Sequence, residues 1–290
     1  MSKHGDATRD GTTHAAHVPR HEATTSPIAA PGTEHTPSEP TADTVTAELS
    51  PPIQHGNEVI LALDEVNVEA SWGHIYGPVS LTVQRGGVTV LVGEGGRGRT
   101  ALLLTLAGRM KPSTGSVTSF GELNAPHELF KRSNVCFINE VDEIPQAIRV
   151  RDIVTEQLRW QDRWYRWVAP ARQEHLEELC RPVFGDLELP ELNSMVEELP
   201  ELTAALFRIA AANARRPEIL VVGGIDNLTS VRASAKLLER LVVLGREQTI
   251  ITADVNGRQN DLDVREYIDV PNLTNREFVD TQLVSGRTDR

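Results

Sequence analysis

Val88–Met110 reads VTVLVGEGGRGRTALLLTLAGRM, and this stretch decides the fold. Val88, Val90, Leu91 and Val92 form a short β-branched apolar run, the pattern of a buried strand. Gly93-Glu94-Gly95-Gly96-Arg97-Gly98-Arg99-Thr100 follows, and an apolar-periodic segment comes after it as a helix expected to start near Thr100. The glycine stretch meets the phosphate-loop pattern G-x-x-x-x-G-K-[ST] at every fixed position but one, where Arg99 stands for lysine. Glycines let backbone N–H groups turn inward around phosphate oxygens, and the helix start adds the positive end of its dipole. In this pattern Thr100 supplies a hydroxyl to Mg²⁺. The competing reading is an ordinary tight strand-to-helix turn.

The rest of the composition narrows the class. With 290 residues, 39% of them hydrophobic, the chain can bury a sizeable core. A net charge of -12 argues against nucleic acid as the main partner, because phosphate backbones call for clustered Lys and Arg. Cys136 and Cys180 sit in apolar or helical pattern without metal-type spacing, which reads as buried thiols in a reducing compartment. No apolar run approaches the ~20 residues that span a bilayer, and no signal-peptide core is visible. The expectation is a cytoplasmic protein in which any membrane contact comes through a partner.

Residues 1–56 are rich in Thr, Pro, Ala, Ser and His and are expected to be a disordered tail. The irregular spacing of His4, His14, His17, His21 and His35 favours a solvated tail over a metal-binding tract. The folded domain is expected over 57–272. Val59–Leu63, Val66–Val68 and Val79–Val83 read as strands, with an aromatic-bearing loop at Ala70–Tyr76 between them. Lys111–Gly115 is expected to end the loop helix, and Ser116–Gly121 to form a strand and turn. Ile219–Val222 and Thr249–Thr252 read as buried strands, Thr203–Ala214 and Ser234–Leu244 as helices, and Glu266–Val270 as a further strand. Residues 273–290 are expected to be loose.

The order of aromatic loop, Val79-Ser80-Leu81-Thr82-Val83, phosphate loop and Leu106-Ala107-Gly108 followed by Pro112, Gly115 and Val117 resembles the nucleotide-binding domains of ABC (ATP-binding cassette) proteins. The likeness extends from near Glu58 to near Asn272, and Gly98–Leu103 with Leu106–Met110 looks like a divergent actinobacterial branch. It implies an α/β P-loop NTPase fold: a three-layer sandwich with an antiparallel β subdomain and a helical insertion at about 150–198. It also implies ATP and Mg²⁺ as ligands, an integral, permease-like membrane partner, and pairing as a homodimer or as a heterodimer with another cassette. On this likeness Trp72, Gly93, Gly95, Gly96, Arg97, Gly98, Arg99, Thr100 and Ala101 bind the nucleotide, with Thr100 also at the metal. Trp72 is the first choice for stacking on adenine and Tyr76 the second, against a reading as packing aromatics.

The groups that would cleave ATP are mostly replaced. Arg99 keeps the lysine's charge in a larger planar fork. The signature position falls on Leu199-Pro200-Glu201-Leu202-Thr203, where proline removes a donor and Glu201 repels phosphate. The strand-end carboxylate pair falls on Gly223-Gly224, or, in a rival register, on Asp226-Asn227. The Q-loop glutamine maps to Glu140 and the switch histidine to Ala253, leaving Asp226 and Glu140 as weak catalytic candidates. Trp160, Trp164 and Trp167 are spaced for one helical face, which either packs inward or grips a membrane partner. Three functions remain open: a cassette that binds ATP with weak or absent hydrolysis, a working transport ATPase, and a nucleotide-free scaffold.

Overall fold

The computed structural model describes residues 57–138, 147–161, 167–258 and 261–270. The chain enters as two long antiparallel strands, β1 (Val59–Ala70) and β2 (Gly73–Gln84). In β2, Val79, Leu81 and Val83 are buried while Pro78, Ser80 and Thr82 face out, the alternation of a half-covered sheet. The stretch Ala70–Tyr76, expected as a loop, is largely strand. Only Ser71 and Trp72 turn, and Gly73–Tyr76 pairs back onto Val68–Ala70. The polar His74 hid that pairing from the sequence pattern.

After β3 (Gly87–Val92) comes α1 (Arg97–Leu106), which starts three residues before the expected Thr100 and ends well short of Lys111. Gly108 ends it: its backbone takes φ +65°, and a Cβ there would press on the backbone nitrogen of Phe130. The chain continues through β4 (Thr114–Ser119), β5 (Glu122–Leu123), α2 (Pro126–Arg132) and β6 (Ser133–Cys136). α2 was not foreseen from the sequence; its seven residues are too few to show a period. The helical insertion holds α3 (Val150–Gln161) and α4 (Gln173–Phe184), followed by α5 (Glu201–Ala212). The last elements are β7 (Ile219–Val222), α6 (Val231–Leu244), β8 (Thr249–Asp254) and β9 (Glu266–Asp269). Helix α6 starts at Val231, not Ser234, because Ser230 caps it by accepting the Ala233 N–H.

Two sheets result. The antiparallel one runs β2-β1-β4-β5, and the parallel one β6-β7-β8-β3-β9. The central strands β3, β7 and β8 are buried along nearly their whole length on both faces, and their two-residue period divides them between two cores. Val88, Val90, Leu220, Val222 and Ile250 pack with α4, α5 and α6. Leu91, Ile219, Val221 and Ile251 pack with α1 and the antiparallel sheet. A sheet covered on both sides is the three-layer sandwich, and it brings the C-terminal ends of β3, β7 and β8 together at one edge.

The expected tryptophan face falls partly outside the described residues. Trp160 lies in α3, described over Val150–Gln161, Trp167 lies outside any helix, and Trp164 is not among the described residues. Trp160 and Trp167 are exposed, so the packing reading fails for these two. Across the second core, buried Tyr76 donates its hydroxyl to Thr105 Oγ1 at 2.8 Å, and Thr105 donates on to the Ala101 carbonyl. Tyr76→Phe should cost about 1 kcal/mol of unfolding free energy in urea titration, the usual net worth of one hydrogen bond. No change would mean that this contact does not tie β2 to α1.

Candidate nucleotide site

Val92 ends β3, and Gly93 passes so close to the chain after β9 that a Cβ would collide with the Val270 carbonyl oxygen. Gly96 holds φ 137°, a conformation open to glycine, with free space on its Cβ side. Helix α1 then opens with no side-chain cap and no acidic residue in its first turn. Thr100 N–H closes the first turn onto Gly96 O at 3.2 Å, so the N–H groups before it have no helical acceptor. Such a terminus fits phosphate. Gly95, Gly96 and Arg97 are exposed, Arg99 and Thr100 half-buried, and Gly98 and Ala101 buried.

Trp72, at the β1–β2 turn, is 60% exposed, and the Arg97 guanidinium lies 5.8 Å from its ring centroid. The structure thus brings Trp72 to the lip of the loop. Tyr76, the second stacking choice, is 3% exposed with its hydroxyl on Thr105, and it offers no open ring face.

Arg99 points to the end of β7. Its Nη1 and Nη2 donate to Asp226 Oδ1 and Oδ2, each at 2.9 Å, in a two-pronged pair whose side chains are 14% and 13% exposed. β7 stops at Val222, which puts Gly223-Gly224 at the strand end and Asp226-Asn227 in the single 3₁₀ turn that follows. Gly223 donates its N–H to Cys136 O and accepts Thr252 Oγ1–H, and any side chain on it would overlap the Phe137 carbonyl oxygen. Asn227 directs its amide to that same Phe137 oxygen. Asp226 therefore reaches the loop from beyond the strand end, which spacing along the chain could not reveal.

Ala253 is buried within β8, and Glu140 lies outside the described residues. Asp254, which the sequence reading passed over, closes β8 at 1% exposure. Its Oδ1 accepts the Asn256 N–H at 2.9 Å and the Asn256 amide at 3.1 Å. Burial pushes its carboxyl above the usual range, and the Asp226 charge adds to this. Asn256 and Arg99 pull the other way. A carboxylate ending an otherwise apolar run was the available signal. At the signature position, Pro200 caps α5, and the Glu201 carboxylate accepts the Thr229 N–H at 2.5 Å and its hydroxyl at 3.0 Å. Glu201 thus ties the start of α5 to the segment after Asp226.

Residues 76–222 match the sequence profile of the ABC transporter family. The chain belongs to the ABC transporter family. It is 30% identical over 168 residues to the ribose import ATP-binding protein RbsA of Cereibacter sphaeroides, covering 56% of this chain and 32% of that protein. It is 27% identical over 197 residues to a putative ABC transporter ATP-binding protein of Brucella suis, covering 66% and 76%. The chain therefore spans about a third of the ribose import protein's length. Among solved structures it resembles cbiO1 of Clostridium perfringens, part of the ABC transporter complex cbiONQ. That match has a TM-score of 0.57 at 17% identity and covers 80% of this chain and 94% of that one. The likeness to ABC ATP-binding structures establishes the fold of an ABC cassette. Among the described residues of this ABC chain, no helix is long and apolar enough to cross a membrane.

The raised Asp254 carboxyl makes stability depend on pH. The native group holds its proton to a higher pH than the unfolded chain, whose ordinary value is 3.8. Its contribution is therefore lost as pH rises from that value through the raised one. Asp254→Asn should remove this loss, so in urea titrations the variant gains on wild type as pH rises from acidic to neutral. A constant difference between the two across that range would contradict the assignment.

Proposed function

We propose that this chain is an ATP-binding cassette subunit that holds ATP on its phosphate loop and hydrolyses it very slowly or not at all. It works beside a permease-like membrane protein, as a regulatory or asymmetric partner of a second cassette. The observation that carries this reading is the end of β7. An efficient cassette needs a carboxylate there to polarise the attacking water. Here the positions are Gly223 and Gly224, and the backbone leaves Gly223 no room for any side chain.

The binding half rests on the loop. Gly93, Gly95, Gly96, Gly98 and Ala101 shape a cradle of backbone N–H groups, Arg97 and Arg99 bring positive charge, and Trp72 stacks on the adenine. Thr100 offers its hydroxyl to Mg²⁺, which when bound neutralises charge on the phosphate oxygens. Asp226 is engaged by Arg99 and is not poised as a base.

The signature segment favours asymmetric pairing. Pro200 has no N–H to give, and the Glu201 carboxylate sets a negative charge where a partner's terminal phosphate would come. A partner cassette would have to bring its own cleaving groups. Exposed Trp160 borders a groove of about 490 Å³ between the helical insertion and the parallel sheet, next to Glu156, Arg208 and Arg215. This groove is the surface we assign to the membrane partner.

Labelled ATP should bind the full chain saturably, and Trp72→Ala should weaken that binding by about 1–3 kcal/mol, the worth of one base–aromatic stack. Phosphate release by the chain alone should stay far below the ~1 s⁻¹ low end of common enzyme turnover. Turnover at that level would overturn the proposal. Absence of ATP binding would leave only a scaffold with the cassette fold.

A further inference from the structure

Three departures from the ATP-cleaving pattern meet at one point: arginine at 99, glycine at 224 and aspartate at 226. The Arg99–Asp226 pair uses both prongs of the guanidinium at equal 2.9 Å distances, a geometry that lysine cannot make. A Cβ on Gly224 would overlap Asp226 Oδ1 and stand 2.9 Å from Arg99 Nη2. Gly224 has ordinary extended-region angles, φ -58° and ψ 131°, so its lack of a side chain matters for space and not for backbone strain. The side-chain volume absent at the strand end is the volume through which Asp226 reaches the loop.

We infer that Asp226 is an internal counter-ion of the phosphate loop, which claims the Arg99 guanidinium through the gap left by Gly224 and must be displaced before a nucleotide triphosphate can engage it. This inference rests on the proposal that the loop takes nucleotide. A carboxylate and a phosphate oxygen ask for the same donors in the same fork, so the two compete for Arg99. The pair is 13–14% exposed, hence little screened by solvent, and its hold on Arg99 is stronger than that of a surface ion pair. Once displaced, the Asp226 charge would stand near the incoming phosphates and oppose them. Both effects lower nucleotide affinity, and both vanish when the charge on residue 226 is removed.

The alternative is a plain structural tie between α1 and the turn after β7, and the two roles separate in a binding experiment. Full-length wild type, Asp226→Asn, Arg99→Lys and Gly224→Ala would each be titrated with ATP in Mg²⁺ by calorimetry, and each melted with and without ATP. Asp226→Asn should bind ATP at least about tenfold more tightly than wild type, from removal of one competing charge in a little-screened site. Without nucleotide it should melt lower, and ATP should raise its melting temperature more than that of wild type. Arg99→Lys, which keeps the charge and loses the fork, should also tighten binding, and Gly224→Ala should do so by crowding the pair apart. Should Asp226→Asn fail to fold, these two variants decide. Saturable wild-type binding with equal or weaker binding in all variants would overturn the counter-ion role and leave the nucleotide proposal standing. No binding by any protein would overturn both.

Discussion

Two hydrogen bonds between Arg99 and Asp226 join the first turn of α1 to the turn after β7, and the reading of this site depends on them. Such a pair is weak evidence for stability, because withdrawing two charges from water offsets much of their attraction. Its consequence is geometric. It fixes where the loop's inner cation points and which carboxylate accompanies it. Removal of either partner leaves the other charge largely desolvated, which is what gives the pair its hold on the loop.

The parallel sheet sets up that meeting. β3, β7 and β8 end at one edge, so the phosphate loop, the Gly223–Asn227 turn and Asp254 converge there whatever their distance in sequence. In the proposed function, this edge keeps the family's cradle and changes the surrounding chemistry. Backbone N–H groups and a helix start remain. Gly223 and Gly224 follow the last residue of β7, the first of them wedged against Phe137. Glu201, in the segment read as the signature, is spent on Thr229. Under the proposed function, these features bear on phosphoryl transfer more than on binding, because transfer depends on groups placed at the terminal phosphate and binding depends mostly on the cradle.

Much of this was legible in the sequence. The runs at Val88–Val92, Ile219–Val222 and Thr249–Thr252 are apolar on both faces and could only be central strands, and the glycine stretch between strand and helix named its own geometry. What stayed hidden was set by tertiary contact. Ala70–Tyr76 looked like loop because its strand character comes from pairing with β1 and not from its residues. The spacing of Trp160, Trp164 and Trp167 suggested one face, yet Trp160 and Trp167 are exposed rather than packed inward. The choice between Gly223-Gly224 and Asp226-Asn227 was posed as a question of register. In the fold the glycines hold the strand end while Asp226 reaches back past Gly224, and no linear spacing expresses that. Asp254 escaped notice because its importance lies in burial beside residues distant in sequence.

A crystal structure of the full chain with ATP and Mg²⁺ tests the central claim most directly. The account predicts a triphosphate seated over Gly95–Thr100, the Arg99 guanidinium turned from Asp226 to a phosphate oxygen, and no carboxylate aimed at the terminal phosphate. Nucleotide bound with the Arg99–Asp226 pair intact, or with a carboxylate of this chain directed at that phosphate, would contradict it.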